Sequence, residues 1–593
     1  MLILTEKPSV AKDFAKALGC HYSSADKCYK NNSGSVFITN CVGHLFQLED
    51  PVFYNPEFKS WKKLPIIPEE FHYHVTSELK DAAKVVVSLL KRYKSDEILI
   101  ATDADREGEI IARECLKAAG ISDFSKITRF WVSQALTPEV INDGIKQAKA
   151  LGLYSNLADQ GFARQHSDWL VGINGTRFIT NKAGSLFPIG RVQTSILSAI
   201  SERCEKIDNF KPEKYFEITG SFNPPNGGSV KGILINPNGE TKQKDDSLLV
   251  ALKPFVNSRL NLDELKSEKR EILPPQLYSL NDLQKDAFRY FNYSADKTLK
   301  LVQKLYEEYK CVSYPRTPSK VMGSQNVQLC RDLYQKFMRI SPEYFVLHPY
   351  FVIDEKDKRI FNDAKLEAHH AIIPLDKLPA SATGDEENIY SLILERFMLA
   401  FAPGYKYEKH TAKVSVGGHL FKIEGRKVID EGWQKFRRFT RVLKEKEADS
   451  EEIQDLDNID WHNLTLGSVD SVQKWTKPPK HFNEASILAF MENPKGESED
   501  KKLCGLGTPA TRHTFIPKLE KSKYIEVKNK NIYITDTGKR LLKIVLESPL
   551  SAIADVGETT RWEENLAQNP LGFETEIKSF IRSSMCSKGG SDE

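Results

Sequence analysis

Residues 97–109 read EILIATDADREGE, a β-rich apolar run followed directly by acidic residues. The run ends at Thr102, and carboxylates follow at alternate positions, Asp103, Asp105 and Glu107, before Gly108 opens the way to a helix. Carboxylates at the C-terminal edge of a parallel strand converge, and a hard cation such as Mg²⁺ prefers oxygen ligands. The stretch therefore predicts a strand, a metal-binding loop and a helix, with an acidic surface loop as the alternative.

The segments before and after this stretch alternate between strand and helix patterns. The strand-like segments are MLIL at 1–4, VFITN at 36–40, EILIAT at 97–102 and ITRFWV at 127–132, and helical patterns lie at 8–18 and near 77–93. This alternation predicts a parallel sheet with helices on both faces. At the end of the first strand, Glu6 would add a fourth carboxylate, and Lys7 lies near a helix N-terminus, where phosphate binds readily. An ordinary surface Glu-Lys pair is the alternative reading.

The pattern changes several times beyond residue 137. Helical patterns cover about 137–209, short strand segments 215–272, helices 278–310 behind a Ser294 cap, strands from 410, and mainly helices from 484 onward. A chain of 593 residues also exceeds what one hydrophobic core usually serves. Several domains are therefore expected.

The composition excludes several classes of protein. Hydrophobic residues make up 40% and charged residues 28%, with a mean hydropathy of -0.43, as in soluble globular proteins. No apolar run is long enough to span a membrane, and the N-terminus lacks a signal-peptide pattern, so a cytoplasmic location is expected. Nine cysteines form no CxxC pair, which argues against a zinc ribbon or a disulfide framework. Residues 513–543 carry eight Lys or Arg against three acids, either a solvated helix face or a nucleic-acid contact.

The segment 312–317, VSYPRT, presents a tyrosine outside a helix. Tyr314 precedes a proline, which biases its backbone to an extended conformation. A phenol with a pKa near 10 needs nearby positive charge or a base to act as a nucleophile, and Arg316 can bind a phosphate. A core tyrosine with a capped hydroxyl is the alternative. The adjacent His369 and His370 offer a proton-transfer group, but no further ligand at metal spacing supports a zinc site.

Seven motifs together resemble those of the type IA DNA topoisomerases, most closely bacterial topoisomerase III. In order they are TEKPSVAK, ATDADREGE, SDWLVGINGTR, PIGRVQT, VSYPRT, AHHAIIP and LGTPATR, with ITDTGKRLL beyond them. The resemblance implies a multidomain fold: an N-terminal topoisomerase-primase (TOPRIM) domain with a Rossmann-like parallel sheet, and a toroidal core of helical domains joined by a β-rich arch. The implied domains are 1–152 (TOPRIM), 153–214 with 480–593 (helical, DNA-binding, with winged-helix-like parts), 215–277 with 406–479 (arch) and 278–405 (helical, carrying the tyrosine).

The resemblance also implies roles for individual residues. Tyr314 matches the nucleophile that attacks single-stranded DNA and forms a 5′-phosphotyrosine link, and Arg316 matches the arginine at the scissile phosphate. The other implied catalytic residues are Glu6, Lys7 and His369; the implied Mg²⁺ ligands are Asp103, Asp105, Glu107 and Glu6; the implied DNA-binding residues are Arg164, Asp168, Arg191, Gln193 and Thr194. Because the phosphotyrosine link keeps the energy of the cleaved bond, ATP is not expected. Zinc is not expected either, because the cysteines form no CxxC pair.

The implied function is relaxation of negative supercoils, decatenation, or both, by passage of one strand through a break in another. Two departures from the family pattern, Pro318 and Ser195, affect local geometry only. A TOPRIM nuclease or primase would share the acidic residues but would not need Tyr314. A catalytically silent nucleic-acid-binding protein is the other alternative.

The expected partner is DNA, in single-stranded segments of negatively supercoiled or catenated molecules. A helicase or a single-strand binding protein is a candidate protein partner. The resemblance further implies a monomer in the bacterial cytoplasm, associated with the nucleoid and not with a membrane.

Overall fold

The computed structural model describes residues 1–340, 353–366, 369–437, 454–456, 459–494 and 505–586. Ala368 of the AHHAIIP motif lies outside these residues, whereas His369 lies within them. Within these ranges, no helix combines the length and the apolar character needed to cross a membrane.

A seven-stranded sheet forms the N-terminal part of the fold. In spatial order its strands are His21–Ser23, Cys28–Lys30, Phe37–Asn40, Leu2–Thr5, Ile98–Ala101, Ile127–Arg129 and Lys149–Ala150. The central four strands are parallel and the outer ones antiparallel. The predicted parallel sheet is confirmed, although the strand predicted over 127–132 ends at Arg129. Because Leu2–Thr5 pairs with Ile98–Ala101, the residues that follow these two strands meet at one edge.

Helices pack on both faces of this sheet because its strands are buried on both sides. Leu2 and Leu4 contact a core that includes Val86 and Ile111, whereas Ile3 contacts Phe14 on the other face. The helices of this part are Pro8–Ala17, Pro51–Tyr54, Lys80–Arg92, Arg106–Ala118 and Pro138–Lys146. Phe46–Leu48 and Tyr73–Val75 pair as a separate two-stranded antiparallel sheet.

A helical layer brings together two stretches that are distant in sequence. Its helices are Ser155–Ala183, Arg191–Asp208, Glu484–Glu492, Pro509–Arg512, Phe515–Lys521, Asp536–Leu546, Val556–Gln568 and Pro570–Cys586. A two-stranded hairpin, Ile525–Lys528 with Asn531–Ile534, lies among them. Leu170 and Ile196 share one hydrophobic core with Trp562 and Phe573, so the C-terminal helices complete the layer.

A six-stranded antiparallel sheet forms a separate β-rich part. In spatial order its strands are Asn261–Ile272, Tyr405–Val416, His419–Asp430, Val230–Ile235, Lys214–Asn223 and Thr465–Trp475. The short helices Leu248–Leu252 and Gln434–Arg437 accompany it. The strand pattern predicted from residue 410 is present as a hairpin, which turns at Gly417 and Gly418, whose φ angles of +57° and +83° favour glycine.

The segment that carries Tyr314 lies in a second helical part. Its helices are Leu280–Phe291, Ala295–Glu307, Val327–Ile340 and Gly384–Ala400. Ser294 caps the second of these helices as predicted, since its hydroxyl accepts a hydrogen bond from Lys297 N at 3.2 Å. Tyr314 itself lies in irregular backbone between Glu307 and Val327.

Two ion pairs join this second helical part to the N-terminal sheet. Lys7 Nζ lies 2.9 Å from Glu307 Oε1, and Lys310 Nζ lies 2.5 Å from Asp13 Oδ2. Tyr314 N also donates a hydrogen bond to Ser133 O at 3.0 Å. The structure is therefore closed across the interface that brings Tyr314 to residues 103–107, which we call the acidic loop.

Candidate active site

The acidic loop is held at the start of the helix Arg106–Ala118. Asp105 caps that helix, because its Oδ1 accepts a hydrogen bond from Gly108 N at 2.8 Å. A Cβ atom at Gly108 would lie 2.1 Å from Asp103 O, so a side chain there has no room. Glycine thus lets the helix begin directly against the end of the strand.

Arg129, on the neighbouring strand, supports the same loop from within the sheet. It is fully buried and donates hydrogen bonds to the carbonyl oxygens of Thr102 at 2.8 Å and Asp103 at 2.6 Å. Its Nε donates to Glu109 Oε2 at 3.0 Å, and Arg113 Nε donates to the other oxygen at 2.9 Å. This buried network fixes the backbone that positions the carboxylates.

Glu6 lies beside Asp103 at the ends of two paired strands. It is buried, and its Oε2 accepts a hydrogen bond from Asp103 N at 3.1 Å. Burial, together with the charges of Asp103 and Asp105, raises the pKa of Glu6 to about 8. Glu6 therefore keeps its proton at neutral pH in this arrangement.

Lys7 stands between two carboxylates from different parts of the chain. Its Nζ lies 3.0 Å from Asp103 Oδ2 and 2.9 Å from Glu307 Oε1. Burial opposes the charged form, but Asp103, Glu6 and Glu307 outweigh it and raise the pKa of Lys7 above its ordinary value. Lys7 is thus a fixed positive charge at the edge of the sheet.

Tyr314 reaches across the interface into the acidic loop. Its hydroxyl donates a hydrogen bond to Asp105 Oδ2 at 2.9 Å, and its side chain is 4% exposed. Its ring lies against Tyr306 in an edge-to-face arrangement and against His369, with centroids 5.5 Å and 4.4 Å away. Burial, followed by Asp105 and Asp103, raises the pKa of Tyr314 well above its ordinary value. The phenol is therefore protonated, and Asp105 lies where it can accept the proton.

His369, from the second helical part, contacts the N-terminal part across the closed interface. A backbone carbonyl only accepts hydrogen bonds, so Nε2 carries the proton that it donates to Ala104 O. Nδ1 then accepts a hydrogen bond from the Ser133 hydroxyl at 2.8 Å. The ring also stacks on Trp131, with centroids 5.7 Å apart. This neutral tautomer fits the effect of burial, which lowers the pKa of His369 to about 4.

We expect this histidine to make interface closure depend on pH. The ordinary pKa is near 6.5, so between about 6.5 and 4 the exposed ring binds a proton that the buried ring does not. Closure should therefore weaken as the pH falls through this window, by up to ~3 kcal/mol. Energy transfer between dyes on the N-terminal sheet and on the second helical part would measure it. If closure of the His369→Gln variant weakened by the same amount over this pH range, the result would contradict this role.

Arg316 lies close to Tyr314 and the carboxylates. Burial lowers the pKa of Arg316, but Tyr314, Asp105 and Asp103 reverse that effect and raise it. In the orientation of the Gln303 amide that places its oxygen toward the guanidinium, this oxygen accepts hydrogen bonds from Arg316 Nε at 3.2 Å and Arg316 Nη2 at 2.7 Å. Gln303 therefore holds Arg316 in place at the site.

Glu107 contacts the helical layer through Arg164. It forms an ion pair with Arg164 and lies 3.4 Å from His44 Nε2, whose Nδ1 lies 3.3 Å from Glu114. Burial alone would raise the pKa of Glu107, but His44 and Arg164 lower it to about 2. Glu107 is therefore ionised and already paired.

The remaining residues implied for DNA binding lie in the helical layer, around the start of the helix Arg191–Asp208. Arg191 is buried and pairs with Glu563 and, at 3.1 Å, with the half-exposed Asp168. Thr194 is buried, and its hydroxyl accepts a hydrogen bond from Gly190 N at 3.3 Å. Gln193 is partly exposed. Of this set, Arg164 contacts the acidic loop, through its ion pair with Glu107.

Comparison with known proteins decides the family. The DNA topoisomerase family model matches residues 152–572, and the Toprim domain model matches residues 1–135. The chain is 34% identical over 591 residues to DNA topoisomerase 3 of Bacillus licheniformis, covering 95% of this chain and 78% of that protein. It is also 34% identical over 601 residues to DNA topoisomerase 3 of Bacillus subtilis strain 168, covering 96% and 78%. The chain belongs to the type IA DNA topoisomerases.

A solved structure agrees with the fold of this topoisomerase. Full-length topoisomerase I from Thermotoga maritima superimposes with a TM-score of 0.75 at 21% identity, covering 99% of this chain and 90% of that one. The expected multidomain fold with an N-terminal TOPRIM sheet is confirmed.

The carboxylates of this topoisomerase fit Mg²⁺ in their chemistry. Glu6, Asp103, Asp105 and Glu107 offer oxygen donors only, and Mg²⁺ needs one or two carboxylates while it keeps several waters. Burial, followed by the charges of Asp103 and Asp105, raises the pKa of Glu6, and a divalent cation would offset the part that comes from charge repulsion. Within the described ranges, no three His, Cys, Asp or Glu side chains already converge as a metal cage, because protein groups hold these carboxylates.

Several residues of the site carry no signal that we recognised in the sequence. They are Arg129, Glu109, His44, Gln303, Glu307, Ser133 and Glu563. Glu109 lies within the acidic motif itself. The available sequence signal was its position in the predicted helix that directly follows the strand. The others act through contacts between residues that are distant in sequence.

Proposed function

We propose that Tyr314 is the nucleophile with which this topoisomerase breaks and rejoins one strand of DNA without ATP. The observation that carries the proposal is the hydrogen bond from the Tyr314 hydroxyl to Asp105, across an interface between separate parts of the chain. A nuclease or primase that used only the acidic residues would need no tyrosine at this place. The contact thus favours covalent strand transfer over both alternatives.

In the proposed reaction, the phenol oxygen attacks the phosphorus of a single-stranded segment and the bond to the 3′ oxygen breaks. Asp105 accepts the phenolic proton, since it already accepts that hydrogen bond. Arg316 and Lys7 stabilise the charge that develops on the phosphate, and Glu6 and Lys7 hold protons for the departing 3′ oxygen. The reverse reaction reseals the strand, because the phosphotyrosine bond retains the energy of the cleaved bond.

Mg²⁺, bound through Asp103, Asp105 or Glu107, would neutralise the carboxylates in front of the phosphodiester. Without it, the acidic loop would repel the strand. His369 and Ser133 would position Tyr314 by keeping the interface closed. The bound strand would be guided toward the site by the residues implied for DNA binding, once it displaces the groups that hold them now. These residues are Arg164, Asp168, Arg191, Gln193 and Thr194.

We also propose that the part covering 278–405 moves away from residues 1–152 while the break is held. The opening would admit a second strand into the space under the β-rich part, 215–277 with 406–479. The ion pairs of Lys7 with Glu307 and of Lys310 with Asp13 would have to separate in this step. A helicase or a single-strand binding protein, which exposes or holds single strands in the bacterial cytoplasm, fits this substrate as a partner.

Removal of divalent cations should stop the reaction. We expect negatively supercoiled plasmid to be relaxed, or catenated circles separated, with Mg²⁺ and without ATP, and we expect EDTA to reduce the rate at least about a hundredfold. Gel electrophoresis of both substrates measures this and shows which activity dominates. Full activity in EDTA would contradict the metal requirement, and dependence on ATP would contradict the energy-conserving mechanism.

A further inference from the structure

A compact basic segment of the helical layer has no role in the mechanism above. Residues 518–530 contain five lysines and two glutamates. The lysines are Lys518, Lys521, Lys523, Lys528 and Lys530, and all five are exposed. One of them, Lys528, pairs with Glu526 at 2.6 Å. The other four, which we call the lysine surface, form no ion pair with any residue that the structure describes.

The lysine surface lies on a small rigid module. The helix Phe515–Lys521 buries Ile516 and Leu519, so Lys518 and Lys521, three positions apart, project from its opposite side. The hairpin Ile525–Lys528 with Asn531–Ile534 follows, and the helix Asp536–Leu546 comes after it. Helix, two-stranded wing and helix in this order form a winged-helix arrangement, with Lys530 in the exposed turn of the wing.

This surface offers charge but no platform for stacked bases. Proteins that hold single strands combine basic side chains with exposed aromatic rings. The aromatic residues of the module pack against other groups: Phe515 is partly buried against the hydrophobic core of the helical layer, Tyr524 is buried, and Tyr533 packs against His481 with ring centroids 4.3 Å apart. Lysines without stacking rings suit the regularly spaced phosphates of a double helix.

The lysine surface begins next to the site that contains Tyr314. His513 follows the helix Pro509–Arg512, and burial, together with the charges of Arg316 and Lys518, lowers the pKa of His513 to about 4. Its Nδ1 is buried and has no hydrogen-bond partner within the described chain. A DNA molecule held at Arg316 can therefore continue along the module.

We propose that the lysine surface binds the double-stranded arm of DNA that flanks the single-stranded segment at Tyr314. The surface would thus direct the topoisomerase to junctions between single and double strands, as in negatively supercoiled DNA. This inference rests on the proposed function only in taking DNA as the ligand.

Binding to two DNA probes in EDTA tests the proposal without any cleavage. One probe is a short single strand, and the other has the same sequence as an unpaired gap between two duplex arms. We expect wild-type protein to prefer the gapped probe. In Lys518→Gln/Lys521→Gln/Lys530→Gln this preference should fall about tenfold, and the slope of log K against log salt for the gapped probe should shrink by ~2.7.

The matched control is Lys84→Gln/Lys91→Gln/Lys94→Gln, which removes three exposed lysines from the N-terminal sheet domain and should leave the preference unchanged. An equal loss on both probes, or the same loss in the control, would overturn the proposal. So would an unchanged preference in the first variant. Covalent capture of cleaved DNA, measured separately with wild-type protein, decides the proposed function independently of this result.

Discussion

Replacing Tyr314 with phenylalanine should abolish strand cleavage and strand passage, with a loss of more than about a thousandfold in rate. The phenol oxygen forms the covalent bond in the proposed reaction, and phenylalanine lacks it. The ring contacts with Tyr306 and His369 should remain, because they involve only the ring. The variant should therefore fold and bind DNA, and fail only in the chemistry. Plasmid relaxation would measure the loss of activity, and thermal unfolding would measure whether the variant is folded.

Tyr306 provides the matched control for this variant. It also lies next to the site, with its ring 5.5 Å from that of Tyr314, yet it makes no bond in the proposed reaction. Tyr306→Phe should relax plasmid at close to the wild-type rate. If Tyr306→Phe were inactive and Tyr314→Phe active, the assignment of the nucleophile would be wrong.

Replacing Glu109 with alanine should destabilise the N-terminal sheet domain by ~3–5 kcal/mol, since it leaves buried arginines without their partner. Glu109 and Arg129 are fully buried, and Arg113 is nearly so. A loss of this size should lower the unfolding temperature of the domain by on the order of 10 °C. Activity should fall as well, because Arg129 also holds the carbonyl oxygens of Thr102 and Asp103.

Glu70 gives a control of the same residue type in the same domain. It pairs with Lys117 at 3.6 Å, but both side chains are more than half exposed. Glu70→Ala should change the stability by less than about 1 kcal/mol. Differential scanning calorimetry of the three proteins would compare them, and similar shifts in both variants would contradict the structural role of the buried network.

Local patterns were sufficient to predict the elements that frame the site. The apolar runs at Leu2–Thr5 and Ile98–Ala101 alternate with helical patterns, which predicted parallel strands, and both runs are buried on both faces. The Ser294 cap and the glycine turn of the hairpin from residue 410 also carry short-range signals. The strands His21–Ser23 and Cys28–Lys30, at one side of the sheet, were not predicted, because each spans only three residues.

Contacts across the closed interface could not be read from the sequence. Glu307 lies 300 residues from Lys7, and Ser133 lies 236 residues from His369, and no local pattern relates such pairs. The motifs indicated which residue types belong to the site. The structure adds how they are held: Asp105 by a helix start, Arg316 by Gln303, and Arg191 by two carboxylates.

The covalent link to Tyr314 is the central claim, and capture of that link tests it most directly. Protein is mixed with Mg²⁺ and single-stranded DNA labelled at its 3′ end, then quenched with denaturant. We predict that the label migrates with wild-type protein and not with Tyr314→Phe, since the cleaved 5′ phosphate is bonded to the phenol. Cleaved DNA whose label stays free of the wild-type protein would contradict the account and favour a TOPRIM nuclease.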